Sequence, residues 1–454
     1  MKNTSFTEGK IFSPLIRFAL PVLFATFLQT MYGAVDLFVV GQFSTSADVS
    51  AVSTGSQVMQ TITSVIVGLS MGTTILLGQK IGEKKTEEAG NTVGASICLF
   101  TAVGILITVM MLLAAVPLTS IMKAPQEAFG KTVAYVRICS AGSLFIAAYN
   151  VIGGVFRGMG NSKMPLLTVA IACVANIFGD LLLVEVFHMA TEGAAIATVF
   201  AQAISVVLSL VIIKRQGLPF AFHKENIRFH KDICKRVIKL GFPIAFQDVL
   251  VSISFLAITS IVNSLGVIAS AGVGVAEKLC GFVMLVPSAY MQSMSAFTAQ
   301  NIGANQKGRA NKALVYSIAT SLGFGLAMGY FSFFHGNYMA GIFTGDAAVI
   351  SAAADYLKAY AIDCIMVSFL FCFMGYFNGC GKTTFVMAQG IIGAFGIRIP
   401  VSYFMSHLHP ISLFKVGLAT PASTFFQIIV CVLYILKDRR KDKALAETMD
   451  HTFS

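Results

Sequence analysis

Tryptophan is missing from this chain and charge is scarce: none of the 454 residues is Trp, and Asp, Glu, Lys and Arg together make up 12%. So few charges cannot coat a soluble globule of this size, which excludes the ordinary soluble classes. With 56% hydrophobic residues and a mean hydropathy of +0.79, the chain reads as a polytopic membrane protein. Lacking Trp, any interfacial aromatic belt must be built from the 12 Tyr and 38 Phe, which blurs the belt as a boundary marker. The nine cysteines include no CxxC pair and no His partner at metal spacing, so they read as small apolar packing residues. No nucleophile, base and metal set is visible, so an enzyme is not expected. The first apolar run is too long for a signal-peptide core and no small-residue cleavage site follows it, so it is expected to stay as a signal anchor.

What is present is a series of apolar stretches of about 20 residues or more. They predict twelve helices, at 14–41, 50–79, 92–117, 131–157, 163–187, 193–214, 237–263, 268–300, 310–334, 352–377, 383–407 and 415–436. An even number puts both termini on one side. Of the 32 Lys and Arg, 25 fall on that side, among them Lys2, Lys10, Lys80, Lys84, Lys85, Arg157, Lys163, Lys307, Arg309 and Lys382, against Lys123, Lys131 and Lys415 opposite. The positive-inside rule makes both termini cytoplasmic, in the cell membrane. The net charge of +11 is then a topology signal and implies no nucleic acid. The Asn3-Thr4-Ser5 sequon falls on the cytoplasmic side and is chance.

The chain divides near its middle. Residues 216–236 carry Pro219, five basic residues and a broken apolar pattern, which suits an amphipathic helix lying on the anionic inner leaflet. On either side the chain repeats: Leu20-Pro21 matches Phe242-Pro243, the Gln79–Gly82 turn matches Gln300–Gly303, and Gly158-Met159-Gly160 matches Gly379-Cys380-Gly381. The offsets are 222, 221 and 221, so one six-helix unit occurs twice with the same orientation. The expected fold is an all-α integral membrane protein with twelve transmembrane helices in two six-helix lobes related by a parallel internal repeat. The N-lobe spans 1–215, the linker 216–236, the C-lobe 237–437 and a basic cytoplasmic tail 438–454.

The two copies differ in charge. Asp36 stands where the second copy has Ile258 or its neighbour, Asn176 where it has Ile397, and Asp180 where it has Val401. A carboxylate inside a span costs on the order of 3 kcal/mol and marks a functional site by default. Gln29, Tyr32 and Asp36 share one face of the first helix, and Asn176 and Asp180 share a face of the fifth. Asp36, Asp180 and Thr198 lie at similar depth. Two carboxylates, an amide and hydroxyls together can share a proton or bind a small hard cation such as Na+; the alternative is a hydrogen-bonded lock between helices. Pro21 removes a backbone bond below Asp36 and is a candidate hinge. Met284, Tyr290, Met291 and Met294 make a soft stripe on the eighth helix, a candidate substrate cleft with Gln29; ordinary packing is the alternative. Asp248, Glu277 beside Lys278, and Asp363 are candidate acids of a second site in the C-lobe. Gly379–Thr384 mimics a phosphate loop, but Tyr376 stands where its first Gly belongs and no strand precedes it, so nucleotide binding is rejected.

These motifs, in this order along the whole chain, resemble the multidrug and toxic compound extrusion (MATE) family of secondary transporters, in its DinF-like prokaryotic branch. The resemblance rests on Pro21, the Tyr32–Asp36 run through Gly41, Asn176-Ile177-Phe178-Gly179-Asp180 and Gly193–Thr198. It implies a multidrug antiporter exporting organic, cationic amphipathic compounds in exchange for H+ or Na+, without cofactor, as a monomer among membrane lipids. For that branch it implies a cation site of Tyr32, Asp36, Asn176, Asp180 and Thr198, with Asn150 of the fourth helix as its weakest member. The NorM-like branch carries acids where this chain has Val251 and Val367. The rival readings are a lipid-linked oligosaccharide flippase, which Arg137 and Arg398 would favour, and a receptor or scaffold without transport.

Overall fold

Hydrophobic runs longer than a bilayer is thick leave the backbone one solution in lipid, helices that satisfy their own hydrogen bonds. In the computed structural model, which describes residues 6–453 with side chains to residue 440, eleven helices are long and apolar enough to cross a membrane. A twelfth span is a bent pair. In chain order they are α1 (Phe12–Phe43), α2 (Ser46–Gly82), α3 (Thr86–Ile121), α4 (Gln126–Ala141 and Ser143–Gly158, bent by 49°), α5 (Lys163–Val186), α6 (Ala190–Gln216), α7 (Lys231–Asn263), α8 (Val267–Gly303), α9 (Lys307–Phe334), α10 (Ala347–Gly379), α11 (Thr383–His407) and α12 (Leu413–Arg440). Lys2, the Asn3-Thr4-Ser5 sequon and the side chains of the tail beyond 440 lie outside the described residues.

Two compact units result. The first holds the chain up to Val249 together with Gln292–Ala313 and Asn378–Thr384; the second holds Leu250–Met291, Leu314–Phe377 and the chain from Phe385. The first is larger than the expected N-lobe because the Gln300–Gly303 and Gly379–Gly381 turns pack on it.

Within the first unit α2 is the central helix, 61% of its apolar window being buried, while α3 is buried only to 28% and presents Leu106, Val109 and Leu113 outward. An outer face that apolar needs hydrocarbon as its solvent. Small residues let α2 meet α7 backbone to backbone: a Cβ on Gly72 would strike the Val237 carbonyl, and one on Gly241 the Leu69 carbonyl. The α4 bend falls at Gly142, where a Cβ would sit 2.6 Å from Val199 of α6.

The linker corrects the sequence expectation. No helix runs over 217–230; a single 3-10 turn, Lys224–Asn226, interrupts irregular chain before α7 begins. Gly90 and Gly94, one turn apart on α3, leave a groove in which the carbonyls of Ala221 and Asn226 lie against the helix, and Asn226 Nδ2 donates to Asn91 Oδ1 at 2.7 Å. Backbone docking replaces the amphipathic helix, although Ile227 and Phe229 remain exposed.

Ahead of α1 the chain forms a strap. Phe6 is fully buried, its ring 5.1 Å from Phe18 and 5.0 Å from Phe297. Arg309 donates to the carbonyls of Phe6 (2.8 Å), Glu8 (2.8 Å), Gly9 (2.7 Å) and Lys10 (3.2 Å), and Asn301 Nδ2 donates to Phe6 at 3.2 Å. Charge-assisted bonds of this kind are about twice as strong as neutral ones. Arg309→Ala is expected to free the strap and speed tryptic cleavage after Lys10 by about tenfold or more, measured by mass spectrometry of the full-length protein; cleavage at the wild-type rate would show that the arginine does not hold it.

Candidate functional site

Helix α1 is continuous from Phe12 to Phe43, with Pro21 inside it, and carries Gln29, Tyr32 and Asp36. On α5, Asn176 and Asp180 are one turn apart, and the helix widens into a π-turn, Leu181–Val186, directly after Asp180. Such turns recur at functional sites because they redirect the side chains around them. Gly179 lets α6 approach: a Cβ there would lie 3.0 Å from Ala197, the neighbour of Thr198.

These elements bring Asp36, Asn176, Asp180 and Thr198 together. Asp36 is 1% exposed, and Asn176 and Asp180 are wholly buried. Thr198 Oγ1 donates to Asp36 Oδ2 at 2.9 Å and Asn176 Nδ2 to Asp36 Oδ1 at 3.2 Å. The Tyr135 side chain of α4 lies close to Asp36. Nothing in the sequence flagged Tyr135; the one clue was Gly55 on α2, whose missing side chain makes room for the Tyr135 ring.

Asp180 lies against Asp36, yet neither of its carboxyl oxygens meets a donor, and Asn176 Oδ1 is unmet as well. Three buried oxygens of this cluster therefore have no donor. Among the described residues no Lys or Arg pairs with either carboxylate. An orphaned buried acceptor costs about 1–3 kcal/mol, more when charged. One proton shared between the carboxylates would meet one of these oxygens and remove one charge, and one small oxygen-seeking cation would take more than one of them as ligands; the donor set fits either.

The remaining predicted residues stand elsewhere. Tyr32 donates its hydroxyl to the Val169 carbonyl at 3.1 Å, and Gln29 Nε2 donates to Tyr149 Oη at 3.0 Å, forming a separate polar layer. Asn150 turns its amide back on Ile146 of its own helix, 2.8 Å away. Met294 is fully buried as packing, while Met284, Tyr290 and Met291 are half-buried. Asp248 falls in the first unit, half-buried.

The second unit has its own polar interior. Asp363 is 1% exposed and lies near Thr424; Arg398, at the end of the α11 π-turn (Ile392–Arg398), lies 4.5 Å over the Phe255 ring and donates to Ser254 Oγ at 3.1 Å. Asp363 Oδ1 and Arg398 Nε have no hydrogen-bond partner. Glu277 is half-buried near Thr259, while Lys278 is exposed and forms no ion pair with it. The acid here has an internal cation within Coulomb range; the pair in the first unit has none.

Asp180→Asn would give Asp36 a donor in place of a like charge. It is expected to raise the melting temperature at pH 8, in the absence of Na+, by roughly 2–5 °C. A thiol-reactive dye reporting the buried cysteines suits the measurement. Added protons or Na+ should then stabilise the wild type and leave the variant unmoved; equal responses from both would contradict the pairing.

A family model, MatE, matches residues 21–182 and again residues 243–404, so both copies of the repeat are instances of the same unit. The chain is 25% identical over 442 residues to "Probable multidrug resistance protein YpnP" of Bacillus subtilis, covering 97% of this chain and 98% of that one. It is 22% identical over 442 residues to "Multidrug export protein MepA" of Staphylococcus saprophyticus, covering 96% of each. Among solved structures, "Outward-facing conformation of a multidrug resistance MATE family transporter of the MOP superfamily" superposes with a TM-score of 0.89 at 20% identity, covering 98% of this chain and 99% of that one. The duplicated family unit and the twelve-span fold together make this chain a member of the MatE family, whose members are membrane transporters and not enzymes.

Proposed function

We propose that this protein is a secondary antiporter that exports organic, cationic amphipathic compounds in exchange for inward H+ or Na+. The observation that carries the reading is the Asp36–Asp180 pair, two buried carboxylates with both Asp180 oxygens and the neighbouring Asn176 Oδ1 unmet and, among the described residues, no basic partner. The names of the similar bacterial proteins, multidrug resistance and multidrug export, support export of varied small molecules, and the negative charge of the pair favours cationic ones. The distribution of Lys and Arg supports both termini in the cytoplasm and a place in the plasma membrane, the protein working as a monomer among lipids.

The linkage follows from charge. With the pair empty, the first unit carries negative charge that attracts an organic cation; loading it with a proton or Na+ removes that charge and weakens the hold on the drug. Exchange is obligatory because the ion and the drug compete for one electrostatic feature, and the coupling is reciprocal. Alternating access exposes the pair to each side in turn. A lipid-linked oligosaccharide flippase would need an open basic cavity, whereas Arg398 is buried against Ser254 and Phe255 and Arg137 is exposed on α4.

In proteoliposomes given a pH gradient or a Na+ gradient separately, the wild type is expected to export a cationic dye under at least one of them. Asp36→Asn and Asp180→Asn should each lower that export by about tenfold or more. Export at the wild-type rate by Asp36→Asn would overturn the proposal, and absence of flux from the wild type would favour a receptor or scaffold.

A further inference from the structure

At the end of the first unit that carries Lys80, Lys84, Lys85, Arg157 and Arg309, the two copies of the repeat meet twice in the same way. Gln79 Nε2, at the end of α2, donates to the carbonyl of Gly379 at the end of α10, 3.3 Å away; Gln300 Nε2, at the end of α8, donates to the carbonyl of Gly158 at the end of α4, 2.7 Å away. Donors and acceptors are each 221 positions apart. The backbones cross with the same symmetry: a Cβ on Gly82 would strike the Gln300 carbonyl, and one on Gly303 the Gln79 carbonyl. Only glycine permits that approach.

The charges at this end are arranged otherwise. Lys80 pairs with Glu83 at 2.9 Å and Glu88 at 2.6 Å, and Lys85 with the same two at 3.1 and 3.2 Å, all inside the first copy. None of these four ion pairs reaches the second copy. The bonds between the Gln turns are two neutral hydrogen bonds beside a glycine contact, made by side chains that can swing away while the first copy keeps its own ion pairs.

We infer that Gln79, Gly82, Gln300 and Gly303, with the carbonyls of Gly158 and Gly379, form a two-fold latch that closes the basic end of the molecule and parts once in every transport cycle. This rests on the alternating-access reading above, which requires the copies to separate at one end and then the other. A neutral hydrogen bond shifts a two-state equilibrium by about two- to tenfold, so the pair together shifts it by at most about a hundredfold. Coupling of ordinary strength can reverse a bias of that size. Because the bonds are related by the repeat, losing either one should have about the same effect.

The chain carries its own reporter, the half-buried thiol of Cys380, between Gly379 and Gly381. In the full-length detergent-purified protein, N-ethylmaleimide labelling of Cys380, followed by peptide mass spectrometry, should be about tenfold faster in Gln79→Ala/Gln300→Ala than in wild type, with the single variants intermediate and alike. In a second arm Gln79→Cys is joined to Cys380 by a short reducible thiol cross-linker, and dye export from proteoliposomes is compared with that of Gln79→Ser. Export should be lost on cross-linking and restored by reductant. The latch is refuted if Cys380 reacts at the wild-type rate in the double variant, if the pair does not cross-link, or if the cross-linked protein exports at the reference rate. Absence of ion-driven export from the wild type would sink the antiport reading instead, and the labelling arm does not depend on it.

Discussion

Two carboxylates held side by side in a low-dielectric interior repel each other, and Asp36 and Asp180 have no basic residue to relieve them, so the first unit is more stable with one positive charge between them than without. The surrounding structure preserves that imbalance. Thr198 and Asn176 donate to Asp36 and fix its orientation, with Tyr135 close by, while the π-turn after Asp180 and the close approach of α6 at Gly179 keep the second carboxyl beside the first. Neither Asp180 oxygen nor Asn176 Oδ1 has a donor. A proton, a sodium ion and an organic cation can each lower the energy of such a unit, and a transporter needs only that they do so in competition.

The second copy shows what the same scaffold does without that imbalance. Its acid, Asp363, is near Arg398, which stacks on Phe255 and bonds Ser254. An internal counter-charge reduces the need for an external one, and removing either partner would leave a buried charge unpaired. Duplication supplied two six-helix copies of one unit, and the copies differ in their buried charge.

How much of this could be read without the fold depends on what each feature leaves in a linear chain. Asp36 and Asp180 were legible because a carboxylate in an apolar run is costly wherever it lies, and their twins Ile258 and Val401 lack it. The repeat was legible from the turn motifs, whose residues turn out to be the ones that bond across it. Tyr135 was not, since a tyrosine in a membrane helix is unremarkable until α2 makes room for it at Gly55. Helical spacing put Tyr32 with Asp36, but its hydroxyl reaches past to a backbone carbonyl of α5. The linker misled because its apolar and basic residues suit a helix on the bilayer, while the Gly90 and Gly94 groove that captures its backbone lies far away in sequence. The strap at Phe6 depends on an arginine some 300 residues distant, which no local pattern announces.

The most direct test counts displaced charge at equilibrium. A cationic dye is titrated into purified protein in weakly buffered solution, while a pH indicator and a Na+-selective electrode follow the released ions. Wild type should release about one cation, H+ or Na+, for each dye bound, and Asp36→Asn should release none. Dye binding with no ion released from the wild type, or with equal release from both proteins, would contradict the account.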